Sequence, residues 1–274
     1  MPHTDMYGFR FLGIGNSKHD QAPSIWEHVE VAVSFAAPEK HDASQPPIAI
    51  SANAASLTLA EGQLDIKRLP SPSVTFTLHR SLPDEAFVHP YLSFPAAVLN
   101  HWRGRTSLHA GAVVTERGCI ALLGSKESGK STTMAAAAAN GETVLTDDLL
   151  VIDGTAAFAG PRCIDLRAES TAHFGGRPLG VIGARERWRL DLGPSPMSSP
   201  IRAFVRLAWG ERVDVRPMSI SEKIETMVAN TALGCGPATD DGFLKLLGVP
   251  FFEVSRPRDF VRLPEFLDAL RALG

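Results

Sequence analysis

The chain has 274 residues, of which 44% are hydrophobic and 21% charged, and its formal net charge is −3. These values are ordinary for a folded globular protein, and the length accommodates one large domain or two smaller ones. The chain lacks the basic excess typical of nucleic-acid-binding proteins, so we expect no nucleic-acid partner.

Cysteine content and hydropathy indicate the cellular compartment in which we expect the protein. The three cysteines are scattered and odd in number, which fits neither a zinc site nor a disulfide framework and favours a reducing environment. The N-terminal residues lack the apolar run of a signal peptide, and no apolar run approaches the roughly 18 residues needed to cross a bilayer. We therefore expect a cytoplasmic protein without a membrane partner.

Residues 1–88 are predicted to form a β-rich N-terminal domain. HVEVAVSF places alternate residues from Val29 to Phe35 on one face, and SVTFTLH repeats the alternation from Val74 to Leu78. PIAISANAASLTLA and LDIKRL are predicted to be further strands, with a polar loop at residues 39–47. GIGN, at residues 13–16, lacks the third glycine and the following helix of a dinucleotide-binding fingerprint, so we interpret it as a turn.

The composition changes beyond this region. Residues 89–103 are predicted to be a connecting helix with Pro95 near its first turn, and residues 104–274 an α/β domain. SLHAGAVV and GCIALLG are nearly continuous apolar runs, typical of strands buried on both faces of a sheet. STTMAAAAAN is a helix that ends at Asn140-Gly141, and TVL and LLVID are strand-like.

The last eighty residues add a loop and two helices. SPMSSP, at residues 195–200, is predicted to be a flexible loop. Ser219 and Glu222 form a capping-box pattern before a helix that extends to about Ala232. The chain ends on an amphipathic helix whose apolar stripe includes Phe266 and Leu270.

The segment GSKESGKS matches the phosphate-binding pattern G-x-x-x-x-G-K-[ST] between a predicted strand and a predicted helix. In such a loop the backbone N–H groups and the helix N-terminus bind phosphates, the lysine reaches the β- and γ-phosphates, and the last hydroxyl binds Mg²⁺. Small residues are common at the two positions held by Lys126 and Glu127, so we expect a stiffer or partly self-paired loop. The predicted nucleotide-binding residues are Gly124, Ser125, Lys126, Glu127, Ser128, Gly129, Lys130, Ser131 and Thr132.

Two adjacent carboxylates follow the loop. Asp147 and Asp148 lie 17 and 18 residues beyond Lys130, at the end of a short apolar run. Such a pair allows one acid to hold the Mg²⁺ shell while the other takes a proton from an attacking hydroxyl. The alternative is that one of the two only caps a turn. The expected cofactors are ATP and Mg²⁺, because the chain has no N-K-x-D guanine signature.

Together LHAGAVV, GSKESGKST and LTDD resemble the catalytic domain of HPr kinase/phosphorylase and its smaller relatives. In that family a histidine precedes the first loop glycine by about fifteen residues, as His109 precedes Gly124 here. The resemblance covers about residues 104–168 and implies an α/β P-loop domain of the HPr kinase/phosphoenolpyruvate carboxykinase type. It also implies ATP-dependent phosphorylation of a serine on a protein or peptide.

The resemblance further implies a role for each site residue. Asp147 would be the general base, Asp148 and Ser131 would hold Mg²⁺, Lys130 would neutralise the γ-phosphate, and His109 would lie beside the phosphoryl group. Read from its apolar surroundings alone, His109 is more typical of a core histidine.

This chain also departs from the bifunctional enzymes of that family. Thr132 stands where those enzymes carry a glutamate, and their C-terminal glycine-rich signature has no counterpart here. Both departures argue against reverse phosphorolysis and against HPr as the substrate. The chain is more similar to the small HPr-kinase-related proteins of modified-peptide biosynthesis.

A run of arginines lies outside these motifs. ARERWRLDL alternates Arg185, Arg187 and Arg189 with other residues, so a strand would place three guanidinium groups on one face. Such a face suits phosphate or an acidic peptide, and the alternative is a solvated strand face. Arg162 and Arg167 are weaker candidates.

The sequence therefore predicts a kinase that acts on a hydroxyl, with a peptide or protein serine as the acceptor. The N-terminal domain is expected to help present that peptide. A small-molecule kinase on the same core and a nucleotide-binding regulator without turnover are the alternatives. A homo-oligomer is left open.

Overall fold

The computed structural model describes residues 1–15, 26–37, 46–234 and 240–274. The predicted loop at 39–47 lies outside these ranges except for its last two residues, and so does Asn16 of GIGN. The preceding Gly13 and Gly15 have positive φ angles of 100° and 88°, as expected of a turn.

The N-terminal region forms a mixed sheet. Its strands are β1 His3–Met6, β2 Phe9–Leu12, β3 Glu27–Phe35, β4 Ile48–Ile50, β5 Ala54–Leu59, β6 Gly62–Lys67 and β7 Ser73–Leu78. Among the described residues they are ordered β1-β2-β3-β7-β6-β5-β4, with β3 parallel to both of its neighbours. The strands predicted from HVEVAVSF, LDIKRL and SVTFTLH are confirmed, and PIAISANAASLTLA forms two strands instead of one.

Burial follows the predicted alternation on β7 but only in part on β3. Val74, Phe76 and Leu78 are buried, whereas Phe35 is 64% exposed although Val29 on the same strand face is fully buried. An alternating pattern identifies the side chains that share a face, but not how far along the strand that face is covered.

The predicted connecting helix belongs to the N-terminal core. It consists of α1 Asp84–Ala86, an irregular helical segment Phe87–Tyr91, and α2 Ser93–Trp102, with Pro95 in the first turn of α2 as predicted. Leu92, Ala96 and Leu99 pack into the same cluster as the side chains of the sheet. This cluster also contains Leu149 and Val151, which directly follow the two aspartates.

The remaining chain alternates strands and helices. In chain order these are β8 Thr106–Leu108, β9 Gly111–Thr115, β10 Gly118–Leu123, α3 Lys130–Ala139, β11 Val144–Thr146, β12 Leu150–Asp153, β13 Ala156–Phe158, β14 Cys163–Leu166, α4 Ala168–Phe174, β15 Arg177–Ile182, β16 Arg185–Asp191, β17 Ser198–Trp209, β18 Asp214–Pro217, α5 Ile220–Ala229, α6 Asp240–Leu247, β19 Phe251–Arg256 and α7 Leu263–Arg271.

These elements build a mixed α/β layer structure. In the part of the chain that is described, the large sheet has the order β11-β9-β10-β17-β13-β12-β8, and β19 pairs with β17 and β18. β10, β17 and β19 are parallel to one another. One hydrophobic cluster includes Met134 of α3 and Phe266 of α7, and another includes Met227 of α5 and Leu246 of α6, so apolar residues pack on both faces of this sheet.

Several sequence predictions are corrected here. SLHAGAVV forms two strands, β8 and β9, that are not neighbours in the sheet, and His109 lies between them. The last three residues of SPMSSP are not a flexible loop, because Ser198–Pro200 begin β17 and pair with β13. The predicted helix to Ala232 is α5, which ends at Ala229.

Two predicted helix ends are confirmed. Gly141 follows α3 with a φ angle of 83°, the left-handed conformation that favours glycine. The capping box of α5 is formed, with the Ser219 side chain accepting from the Glu222 backbone N–H. No helix within the described ranges is both long and apolar enough to span a membrane.

A buried ionic cluster holds the small sheet β14-β16-β15 against the N-terminal region. The Asp165 side chain of β14 is fully buried and accepts from Arg189 at 2.8 Å and from Arg187 at 3.3 Å. Arg189 also donates to the backbone carbonyls of Glu85 and His89, which belong to the helical segments before α2. One carboxylate therefore compensates two arginines that lie at the junction of the two regions.

We predict that Asp165→Ala destabilises the protein by about 3–5 kcal/mol, because it leaves two buried guanidinium groups without their carboxylate. Asp153→Ala is the matched control, since Asp153 is more than half exposed and pairs with Arg105 at 3.0 Å. We expect the control to cost less than about 1 kcal/mol. Equal losses for the two variants, measured by urea denaturation, would contradict this prediction.

Candidate active site

The loop that the sequence predicts to bind phosphate lies between β10 and α3. Gly124 and Gly129 have φ angles of 155° and 86°. A Cβ atom on Gly124 would lie 2.5 Å from the Ser128 hydroxyl, and one on Gly129 would lie 2.3 Å from an Arg256 nitrogen. Glycine is therefore required at both positions by backbone conformation and by close packing.

Lys130, the first residue of α3, turns its side chain back over the loop. Its Nζ donates to the backbone carbonyls of Gly124 at 2.6 Å and Ser125 at 3.2 Å. Burial lowers its pKa, and the charges of Asp147 and Asp148 oppose that change. The ammonium group is thus held at the centre of the loop by carbonyl oxygens, for which a phosphate oxygen is a stronger partner.

Asp147 follows β11, which pairs with β9, the neighbour of the loop strand β10. Its carboxylate is buried, with 3% of the residue exposed, and accepts from the Ser131 hydroxyl at 3.3 Å. Burial raises the pKa of Asp147 to about 7, and the neighbouring charge of Asp148 adds to the effect. The structure therefore places the loop serine beside Asp147, whereas the resemblance implied that Ser131 and Asp148 hold Mg²⁺.

Asp148 points away from its neighbour. Its φ angle is 73°, a left-handed conformation that is uncommon for a residue with a side chain. The Thr146 hydroxyl braces this turn by donating to the Leu149 carbonyl at 2.7 Å. The Asp148 side chain is 40% exposed, so of the two carboxylates it is the one that an incoming molecule can reach.

His109 is the immediate partner of Asp148. Because Leu108 of β8 pairs with Leu150 of β12, the residue after β8 lies beside the residues before β12. His109 Nδ1 is 3.2 Å from an Asp148 oxygen, and the imidazole is 48% exposed. Burial and the charges of Lys130 and Arg185 lower the pKa of His109 against the opposing effect of Asp148. The lowered pKa favours the neutral imidazole at pH 7, and the partial exposure of the ring excludes the core-histidine interpretation.

Asn230, at the end of α5, connects the loop to this histidine. Its side-chain oxygen accepts from the Gly124 N–H at 3.1 Å, and its backbone carbonyl accepts from the His109 N–H at 2.7 Å. The side-chain nitrogen donates to the Thr226 carbonyl, which fixes the orientation of the amide. The sequence analysis missed Asn230, because a lone asparagine after a helix is indistinguishable from an ordinary C-cap.

The outer part of the loop contacts the β14–α4 connection. Glu127 has a φ angle of 69° and pairs with Arg167 at 3.2 Å, and both side chains are exposed. The Thr132 hydroxyl lies 3.3 Å from that of Ser170 in α4. Glu127 is thus paired as expected, but its partner lies outside the loop. Lys126 and Ser125 are exposed, and the Ser128 hydroxyl is buried without a hydrogen-bond partner.

The arginine run forms β16 as predicted, but its residues differ in environment. Arg187 and Arg189 are buried against Asp165, so the solvated-face alternative is wrong for them. The four hydrogen bonds of Arg189 leave it a structural part of the junction. Arg185 is exposed, and its charge acts on His109.

Arg162 braces the strand before Asp147 by donating to the backbone carbonyls of Val144 and Leu145.

The oxygen ligands at the loop fit a small hard cation. Within the described ranges no group of three or more His, Cys, Asp or Glu side chains could hold a metal ion by itself. Mg²⁺ at a nucleotide site needs only one or two protein oxygens, with phosphates and water as the other ligands. The Ser131 hydroxyl and the buried Asp147 carboxylate are two such oxygen groups, and they already lie together.

Comparison with models of protein families and with the sequences of curated proteins gives no match. Among solved structures, the chain is similar to the Hpr(Ser) kinase/phosphatase from Coxiella burnetii, with a TM-score of 0.33 and 13% sequence identity. The match covers 61% of this chain and 87% of that one. This similarity is too low to assign an activity, and the proposed activity is therefore argued from the geometry of the site.

We predict that Asp147 makes the ligand-free protein less stable as the pH rises. Its pKa is raised in the folded state, so the folded protein keeps this proton between pH 4 and 7 while the unfolded chain has lost it. The protonated Asp147 carboxyl contributes fully to the free energy of unfolding below pH 4. This contribution falls as the pH rises to 7, by up to about 1.4 kcal/mol per pH unit.

The measurement compares urea unfolding of the wild type with that of the neutral variant Asp147→Asn from pH 5 to pH 8.5. The variant should gain stability relative to the wild type up to pH 7, and the difference should then level off. A difference that is independent of pH would show that the carboxylate is not buried as described.

Proposed function

We propose that this protein is an ATP- and Mg²⁺-dependent kinase that transfers phosphate to a hydroxyl group, with a serine of a peptide or protein as the acceptor. The observation that carries the proposal is the arrangement of five side chains around the loop. Lys130 and Ser131 lie at the start of α3, the buried Asp147 is bonded to Ser131, and the accessible Asp148 is paired with His109.

Triphosphate binding uses the loop and Lys130. The backbone N–H groups of residues 125–131 and the N-terminus of α3 attract the phosphate oxygens. We propose that Lys130 moves its ammonium group from the carbonyls of Gly124 and Ser125 to the β- and γ-phosphates. There it neutralises the charge that develops during transfer.

Mg²⁺ binding is assigned to Ser131 and Asp147, whose oxygens already lie together. A bound Mg²⁺ would supply positive charge there to neutralise phosphate oxygens. This assignment exchanges the two aspartates relative to the sequence interpretation, in which Asp148 held the metal.

Asp148 is then the general base. Its side chain is 40% exposed, and we propose that the His109 imidazole, whose Nδ1 lies 3.2 Å from an Asp148 oxygen, helps to hold it in place. In the proposed step the acceptor hydroxyl gives its proton to Asp148 as its oxygen attacks the γ-phosphorus, and the bond from that phosphorus to the leaving nucleoside diphosphate breaks. His109 contributes by holding the carboxylate in one orientation.

Two properties of Asp147 favour different roles. A pKa of about 7 suits a general base that works at neutral pH. However, Asp147 is buried beneath the loop serine, and an acceptor hydroxyl has no open approach to it. We assign Asp147 to the metal because it is buried beside Ser131, where a nearby cation would favour the charged carboxylate and so lower this raised pKa.

The acceptor class is supported by the surroundings of Asp148. Arg185 is exposed beside His109 and has no ion-pair partner in the described part of the chain, so it is available to an anionic group of the acceptor. β4, an edge strand of the N-terminal sheet, offers backbone groups to an extended peptide.

Phosphate transfer to free serine but not to peptides would favour the small-molecule kinase, and ATP binding without any transfer would favour the regulator.

We predict that Lys130→Ala weakens ATP·Mg²⁺ binding by at least about tenfold, because a charge-assisted contact to the terminal phosphates is lost. Lys245→Ala is the control, since Lys245 lies on α6 in an exposed pair with Asp241. Isothermal titration calorimetry of both variants tests this. Unchanged ATP affinity in Lys130→Ala would contradict the nucleotide site.

Substitutions of Asp147 and Asp148 are predicted to have different effects on ATP binding and on phosphate transfer. Asp148→Asn should keep ATP·Mg²⁺ affinity and lose about 10²–10⁴-fold in transfer rate, and asparagine tolerates the left-handed backbone of this position. Asp147→Asn should weaken Mg²⁺-dependent ATP binding, while Asp153→Asn serves as the exposed control. If Asp147→Asn instead retained ATP·Mg²⁺ affinity and lost only transfer, Asp147 would be the base and our exchange of roles would be wrong.

A further inference from the structure

A second group of side chains lies on the other side of the phosphate-binding loop. The loop strand β10 has β9 and β11 on one side, which lead to His109 and Asp147, and the parallel strands β17 and β19 on the other. β17 ends at Trp209 and β19 at Arg256, which are paired in register. Parallel strands end at one edge of a sheet, where open α/β sheets bind their ligands.

Trp209 packs directly against the loop while remaining accessible. Its residue is 40% exposed, an unusual fraction for a tryptophan. A Cβ atom built on Gly129 would lie 3.1 Å from the edge of the indole. The guanidinium carbons of Arg256 and Arg258 lie 4.5 Å and 4.9 Å from the centre of a Trp209 ring. Arg258 is exposed and has no ion-pair partner among the residues described.

Arg256 is a buried cation without a carboxylate partner in the described structure. It is 3% exposed, and one terminal nitrogen donates to the Gly129 carbonyl at 3.3 Å and to the Thr133 hydroxyl at 3.1 Å. Its Nε has no hydrogen-bond partner. Burial lowers its pKa to about 10, so the group is still charged at neutral pH. An unpaired positive charge beneath this loop favours an anionic ligand above it.

The direction of a bound nucleotide follows from these positions. The terminal phosphate must lie near Asp147 and Asp148, where transfer occurs in the proposed function. The remaining phosphates then follow the loop, and the nucleoside leaves it on the opposite side, towards the ends of β17 and β19. Trp209 is the exposed aromatic side chain at that exit.

We propose that Trp209 is the platform on which the base of the nucleoside triphosphate stacks, and that Arg258 contacts the same nucleotide. A base stacked on an aromatic side chain contributes about 1–3 kcal/mol. Arg256 holds the indole against the loop and lies too deep to touch the base. The inference rests on the proposed function only in requiring that the loop binds a nucleoside triphosphate.

The test separates the base from the phosphates by comparing ATP with inorganic tripolyphosphate, each with Mg²⁺, on the full-length protein. In Trp209→Ala we expect ATP affinity to fall by about tenfold or more, while tripolyphosphate affinity stays within about twofold of the wild type. Trp209→Phe, which keeps a smaller ring, should lie between. Trp102→Ala is the matched control, because Trp102 lies on α2 and donates to the Ser51 carbonyl far along the chain from the loop.

Tryptophan fluorescence is a second measurement of base stacking, and it does not need the Trp209→Ala variant. Wild-type emission should change with ATP and not with tripolyphosphate, and Trp209→Phe should lose that response. This measurement tests whether the base stacks on Trp209 even if Trp209→Ala does not fold.

Each alternative outcome overturns the inference in a recognisable way. Equal losses of ATP and tripolyphosphate in Trp209→Ala would mean that Trp209 only supports the loop. Wild-type protein that binds ATP no more tightly than tripolyphosphate would exclude a base platform while leaving the kinase proposal intact. Wild-type protein that binds neither ligand would overturn the proposed function itself.

Discussion

Two carboxylates of like charge stand side by side in this site, and the backbone conformation of Asp148 keeps them apart. Adjacent residues in an ordinary strand would point to opposite faces of the sheet, with one of them in the core. The left-handed φ of 73° at Asp148 instead leaves Asp147 under the loop serine and brings Asp148 out beside His109. The raised pKa of Asp147 reflects the free energy of burying it next to its neighbour. Nucleotide binding and proton acceptance can therefore occupy neighbouring positions without sharing one carboxylate.

The N-terminal region supports this turn, because the apolar residues that follow Asp148 are anchored in its core. Leu149 and Val151 pack in the same cluster as the side chains of the N-terminal sheet. Tyr7 is fully buried, its backbone N–H donates to Ala159, and burial followed by the charge of Asp148 raises its pKa. A truncation at residue 88 would uncover this cluster, so the region is structurally required whether or not it also presents a peptide.

The site was predictable to the extent that its chemistry depends on short segments of sequence. The loop, the capping box of α5 and the strand of β7 are local patterns, and each appears where its pattern predicts. The proposed exchange of roles between Asp147 and Asp148 depends on one backbone angle, which no residue type at that position reveals. Arg187 and Arg189 looked like a binding face, because their partner Asp165 lies more than twenty residues earlier in the chain. Asn230 and Trp209 act through contacts with distant segments, which leave no spacing signal.

The position of Asn230 in the chain has a consequence for biogenesis. During synthesis His109, the loop and both aspartates emerge from the ribosome long before residue 230. Until α5 has docked, Gly124 lacks its side-chain acceptor and the His109 backbone lacks its own. A nascent chain therefore carries every reactive group of the site before it carries the residue that holds them in register. If the protein transfers phosphate as proposed, this activity would be acquired only after α5 has docked, when most of the chain has been synthesised.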